Sequence, residues 1–156
     1  MLMPSASHGQ SKCPWINEMT AGGILGGTVT VTANISSHGD GVCEFSRREG
    51  TAVRQFRISV RIMTEPAKQF PTFLAQCRSK ATPLQAVGNE AVMCSIPGSS
   101  IHGKKDQYAE SVVGRVRDQA FLVSVSTSAE NDPSFTTEVR REKVNLMAEQ
   151  VAGILF

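Results

Sequence analysis

Four cysteines, Cys13, Cys43, Cys77 and Cys94, stand tens of residues apart in a chain of 156 residues, and no two of them form a C-x-x-C pair. That spacing constrains the fold more than any other feature. Structural zinc and thioredoxin-type redox sites draw on closely spaced thiolates, whereas long-range disulfides accept any separation that the fold can close. An even count at wide spacing therefore predicts two disulfides and an oxidising compartment, periplasmic or secreted. Buried free thiols are the plain alternative, since cysteine also serves as a small core residue.

The totals describe a chain that does not depend on those bridges for its core. A domain of this length buries roughly 68–70% of the surface its unfolded chain exposes, and 40% hydrophobic with only 19% charged residues argues against disorder. A formal charge of +2 is too near neutral to mark a nucleic-acid-binding protein. No apolar run approaches the ~20 residues of a membrane span. Residues 1–12, MLMPSASHGQSK, lack the charged and apolar regions of a secretory signal and read as a flexible tail. The expected organisation is that tail followed by one domain over 13–156, with any export signal outside these residues.

Periodicity then orders the elements. Thr20 is placed to cap a short helix carrying Met19, Ile24 and Leu25, which Gly26-Gly27 ends. From Thr28 the period changes to two, with Val29, Val31, Ala33 and Ile35 on one side, and residues 42–47 read as the return strand. Residues 53–63 have the clearest alternation, with Phe56, Ile58, Val60 and Ile62 inward and Arg57, Ser59 and Arg61 outward. They predict a central strand. Thr64-Glu65-Pro66 then starts a helix on which Phe70, Phe73, Leu74 and Cys77 share a stripe, and Pro71 should kink or delay it.

A strand over 91–96 carries Cys94, and residues 97–107 form a polar loop. A hairpin follows. With Asp118-Gln119 as its turn, Val116 faces Phe121, Gly114 faces Val123 and Val112 faces Val125. Asp132-Pro133-Ser134 starts the last helix, along which Val144, Met147, Ala148, Val151, Ile154 and Leu155 trace a 3.6-residue stripe. The pattern predicts an α+β domain of order α-β-β-β-α-β-β-β-α, an antiparallel sheet of about six strands with helices packed on one face.

With the cysteines on these elements, the simplest pairing joins Cys13 to Cys43 and Cys77 to Cys94, although three pairings remain open. In the chain-entropy model such loops contribute about 3.5 and 3 kcal/mol. A thiol nucleophile is disfavoured because His8, His38 and His102 fall in the tail or in glycine-rich loops. His38, Asp40 and His102 lack the spacing that imposes metal geometry, so neither a metal nor a cofactor is expected. Arg57, Arg61, Arg115 and Arg117 all point away from the expected core. If their strands are neighbours, they make one patch able to receive carboxylates, phosphates or an acidic protein surface. The plain alternative is a solvated sheet face.

Cys13-Pro14-Trp15, Ile24-Leu25-Gly26-Gly27, Cys43-Glu44-Phe45 and Gly88-Asn89-Glu90-Ala91 together form a pattern that resembles small exported bacterial domains of unknown function. These include lipoprotein-like domains and the extracellular sensor domains of bacterial kinases. The resemblance implies a PsbP-like α+β sandwich, export, and a binding or accessory role without chemistry of its own. It transfers no functional residue, and the GQSK sequence before Cys13 is no lipidation box. The expectation is an exported, non-enzymatic domain whose partner is another exported or envelope protein or a small ligand, not nucleic acid and not a membrane span. A module sensing an anionic ligand through the arginine face is the alternative, and a hydrolase with a scattered site comes third.

Overall fold

The computed structural model describes residues 13–77, 81–95 and 108–156. The expected tail over 1–12, the loop over 97–107, His8 and His102 lie outside the described residues. Three helices and seven strands follow in the order α1 (Glu18–Leu25), β1 (Thr30–Ile35), β2 (Gly41–Glu49), β3 (Ala52–Ile62), α2 (Pro66–Leu74), β4 (Thr82–Pro83), β5 (Glu90–Cys94), β6 (Tyr108–Val116), β7 (Gln119–Thr127) and α3 (Thr137–Leu155). The strands make one sheet, ordered β1-β2-β3-β7-β6-β5-β4 and antiparallel at every step. The α+β order read from the sequence is the observed one, with the two-residue β4 added.

The strong alternation of β3 places it next to the middle of the sheet. Its even-numbered residues meet Cys43 and Phe45 of β2 on one side and Phe121, Val123 and Val125 of β7 on the other. Phe45 and Phe56 stack at this junction, with ring centroids 5.7 Å apart. Helices α1 and α3 cover this face and complete the main core with Ile24, Leu25, Val144, Met147, Ala148 and Val151. Each of these side chains larger than Ala148, moved fully out of water, favours folding by roughly 1.5–3 kcal/mol.

The opposite face is only half covered. Phe70 of α2 packs with Met63, Val113 and Ala120 in a second, smaller core flanked by Val92 and Leu122. Thus α1 and α3 share one face as expected, and α2 takes the other. Its covering is local because α2 is short and follows β3 directly. A disulfide from Cys77 to Cys94 ties the segment after α2 to β5, and one from Cys13 to Cys43 ties the segment before α1 to β2. Both pairs are those of the simplest reading, and no described cysteine is free.

Several boundaries differ from the sequence reading for identifiable reasons. Asn17, not Thr20, caps α1: its Oδ1 accepts the Thr20 backbone N–H at 2.8 Å. At the other end Gly26 is left-handed (φ 103°), and a Cβ on Gly22 would lie 2.7 Å from the Gly27 carbonyl oxygen. These glycines therefore permit the fold-back that ends α1. Helix α2 runs through Pro71 and stops at Leu74, so Cys77 lies beyond it, with its N–H donating to the Leu74 carbonyl. Helix α3 starts at Thr137 under a Thr136 cap, because Asp132 is engaged elsewhere, and Ile154 is exposed.

The β6–β7 register also differs. Val116 pairs with Gln119, Gly114 with Phe121 and Val112 with Val123, so Arg117-Asp118 form the turn. The shift of two residues keeps every side chain on its expected face, so the alternation holds while the turn moves from Asp118-Gln119 to Arg117-Asp118.

Candidate functional site

The half of the second sheet face that α2 leaves open is built from alternate residues of five strands. Thr30, Thr32 and Asn34 of β1 lead to Val42, Glu44 and Ser46 of β2, then to Gln55, Arg57 and Ser59 of β3. Arg57 stands opposite Glu44 on one side, with Nε to Oε2 at 3.6 Å, and opposite Ser124 on the other. Ser124 and Ser111 join hydroxyls at 2.8 Å, continuing the polar row into β6. The result is a face of hydroxyl, amide and guanidinium groups that presents many hydrogen bonds to a ligand or a protein surface.

Three of the four expected arginines, Arg57, Arg61 and Arg115, stand on this face, and Arg117 lies in the β6–β7 turn. Arg61 and Arg115 both stand opposite Ala120, one from each side, and Ala120 is buried beneath α2. Because β7 separates their strands, the four do not form one continuous patch. Arg61 lines a cleft of about 280 Å³ with Asn34, Ser36, Asp40 and Ser59 at the β1–β2 end. Arg57 lies four residues back along the same strand, on the same face, and Arg61 has no ion pair among the described residues. Arg115 lines a separate groove of about 390 Å³ with Pro66, Phe70, Pro71 and Leu74. It is engaged there: its Nε donates to Glu90 at 2.9 Å and its Nη1 to the Arg117 carbonyl at 2.9 Å. Arg117 occupies the turn at φ 56°, and its own N–H donates to the Asn89 side chain.

The third recess is apolar. Met19, Gly22, Gly23, Gly26, Gly27 and Val29 line a groove of about 560 Å³ along the outer flank of α1. Met19 stands almost fully exposed at its rim. His38 and Asp40 sit in the β1–β2 turn, and no group of three metal-ligating side chains occurs among the described residues.

Sequence reasoning missed the strongest polar constellation. Arg54 is 4% exposed and Asp132 8%, beneath the start of α3. Arg54 donates twice to Asp132, from Nε at 2.9 Å and Nη2 at 2.7 Å, and also to the Leu25 carbonyl and the Ser134 hydroxyl. Its guanidinium lies 4.6 Å from the Phe135 ring centroid. Thr127 adds a hydroxyl bond to Asp132 at 3.0 Å. The Arg54 hydrogen bonds hold the Asp132 carboxyl below the usual carboxylate range against the opposing effect of burial, and Asp132 in turn raises Arg54. Arg140 is buried nearby, and desolvation lowers its pKa while Glu110 and Asp132 oppose that shift.

This cluster joins the end of α1, β3, β7 and the approach to α3, all on the covered side of the sheet. It is a clamp between elements. The inward parity of β3 was the available signal, since the even positions Phe56, Ile58 and Val60 continue back to Arg54.

No helix among the described residues is long and apolar enough to cross a membrane. Comparison with protein-family models, with curated proteins and with solved structures finds no match.

Proposed function

We propose that this chain is an exported, non-enzymatic binding or accessory domain, acting in a periplasm or outside the cell. The observation that carries the reading is the pair of disulfides, Cys13–Cys43 and Cys77–Cys94, which leaves no described cysteine free. Such bridges persist in oxidising compartments, and a thiol held in one is not available as a nucleophile or a metal ligand. The resemblance to exported bacterial domains supports the same compartment. The binding role rests on the open sheet face, where polar side chains are spread over a surface suited to a partner rather than gathered at one reacting point. Acid-quenched alkylation of the chain in its native cells tests the reading. It predicts four cysteines protected until reductant is added, and four cysteines alkylated directly would overturn it.

A second reading has its own support. Arg57 and Arg61 lie on one strand and one face with Ser59 between them, and the only described partner of either is Glu44 at 3.6 Å. Guanidinium groups so placed suit a carboxylate or phosphate ligand, or an acidic protein surface. Calorimetry with an acidic peptide and with inorganic phosphate tests it. Binding should vanish in the double variant Arg57→Glu, Arg61→Glu; no binding by the parent, or equal binding by both, removes the idea.

A further inference from the structure

The two edges of the sheet are protected very differently. β4 has only two residues, Thr82 and Pro83, and the proline offers no donor, which is a common way of blunting an edge. β1 has six, TVTANI, with no charge and no proline, and its register against β2 is continuous, without a bulge. Among the described residues, neither charge nor proline nor bulge protects that edge.

The backbone alternation shows what this edge offers. Ser36 donates its N–H to the Asp40 carbonyl at 2.8 Å, which marks that pair as hydrogen-bonded. Counting back along the ladder, Thr30, Thr32 and Asn34 turn their backbone groups toward β2, whereas Val31, Ala33 and Ile35 turn theirs outward. The side chains of Val31, Ala33 and Ile35 are half-buried against the main core, and those of Thr30, Thr32 and Asn34 are exposed on the polar face.

From this arrangement we infer that β1 is a self-association edge. A second copy of the chain pairs with it antiparallel across a two-fold axis at Ala33, merging two seven-stranded sheets into one. In that register Ala33 faces its own copy, Val31 faces Ile35 of the second copy and Thr32 faces Asn34. Apolar side chains meet on one face, hydroxyl and amide groups on the other, and each outward backbone group finds a partner. A two-fold contact needs a surface that complements itself, and an uncharged strand with strict alternation does so in every register that keeps its faces. A charged foreign strand would meet no counter-charge here. The second copy therefore fits this edge better than an acidic or basic peptide.

Sedimentation of the full, disulfide-bonded chain over a concentration series tests the inference, together with residue-level hydrogen exchange. The expected result is a reversible monomer–dimer equilibrium in which the Val31, Ala33 and Ile35 amides exchange more slowly as dimer forms. Thr32→Lys puts like charges at diagonal positions across the axis without touching the β1–β2 ladder. Ala33→Pro removes an outward donor and no β2 bond. Each variant should weaken the dimer by roughly tenfold or more, about 1.4 kcal/mol. Should Ala33→Pro fail to fold, the exposed Thr32→Lys decides alone. A chain that stays monomeric at every concentration, with exchange at those amides unchanged, overturns the proposal. So does a dimer that survives in the folded variants, or amide protection that appears only when another protein's strand is supplied.

Discussion

Arg54 and Asp132, 78 residues apart in sequence, meet through two parallel hydrogen bonds of 2.9 and 2.7 Å in the interior of the domain. The pair joins β3 to the segment that leads into α3, and through Arg54 Nη1 it also fixes the last carbonyl of α1. Breaking a buried pair leaves one charge unpaired, which generally costs about 3–5 kcal/mol. Asp132→Asn and Arg54→Ala should each lose stability on that scale in urea unfolding. Because the two share one network, the double variant should lose clearly less than the sum of the single losses.

The same pair sets an acid limit. In the unfolded chain Asp132 takes up its proton near pH ~3.9, whereas the folded chain holds it ionised to lower pH. Its stabilising contribution is therefore complete above the unfolded value and is lost as pH falls through the folded one. Unfolding midpoints measured from pH 6 downward should decline more steeply below about pH 4 in the parent than in Asp132→Asn.

The Cys77–Cys94 bridge closes a loop of 17 residues and tethers a helix that has one fully buried side chain, Phe70. Replacing both cysteines by serine should cost about 3 kcal/mol. The loss should be local first. Hydrogen exchange should show α2 opening while β3, β7 and α3 stay protected, since those elements belong to the main core.

Gly114 sits where β6 crosses the buried ring of Phe121. A Cβ at this position would lie 2.5 Å from Phe121 Cζ and 3.0 Å from Ala91 Cβ. Phe121 is only 2% exposed, so its ring has little room to yield. Gly114→Ala should destabilise the domain by about 1–3 kcal/mol through overpacking, measured as a lower unfolding midpoint with an unchanged m-value.

Much of the fold was legible because hydrophobic parity survives small errors of position. Phe56, Ile58 and Val60 face the core whichever turn closes the following hairpin, so a register error of two at Val116 left the sheet's faces intact. Helix ends were less legible. Asn17 and Thr20 are both good caps, and the choice between them depends on where the chain enters from the Cys13–Cys43 bridge. Pro71 illustrates a local preference overridden by context, since the packing of Phe70 and the bridge at Cys77 hold the helix through it.

The candidate site was legible only as a list of outward arginines. Arg57 and Arg61 share a face through strand alternation, which sequence displays. Whether Arg115 joins them depends on which strand lies between, and here β7 lies between and α2 rests on it at Ala120. The Arg54–Asp132 clamp required a contact across 78 residues that no local pattern encodes.

The most direct test of the account is peptide mapping of the native chain under non-reducing conditions after alkylation of free thiols. The expected result is peptides joining Cys13 to Cys43 and Cys77 to Cys94, with no alkylated cysteine. Four alkylated cysteines would contradict it, placing the chain in a reducing compartment and returning thiol and metal chemistry to consideration.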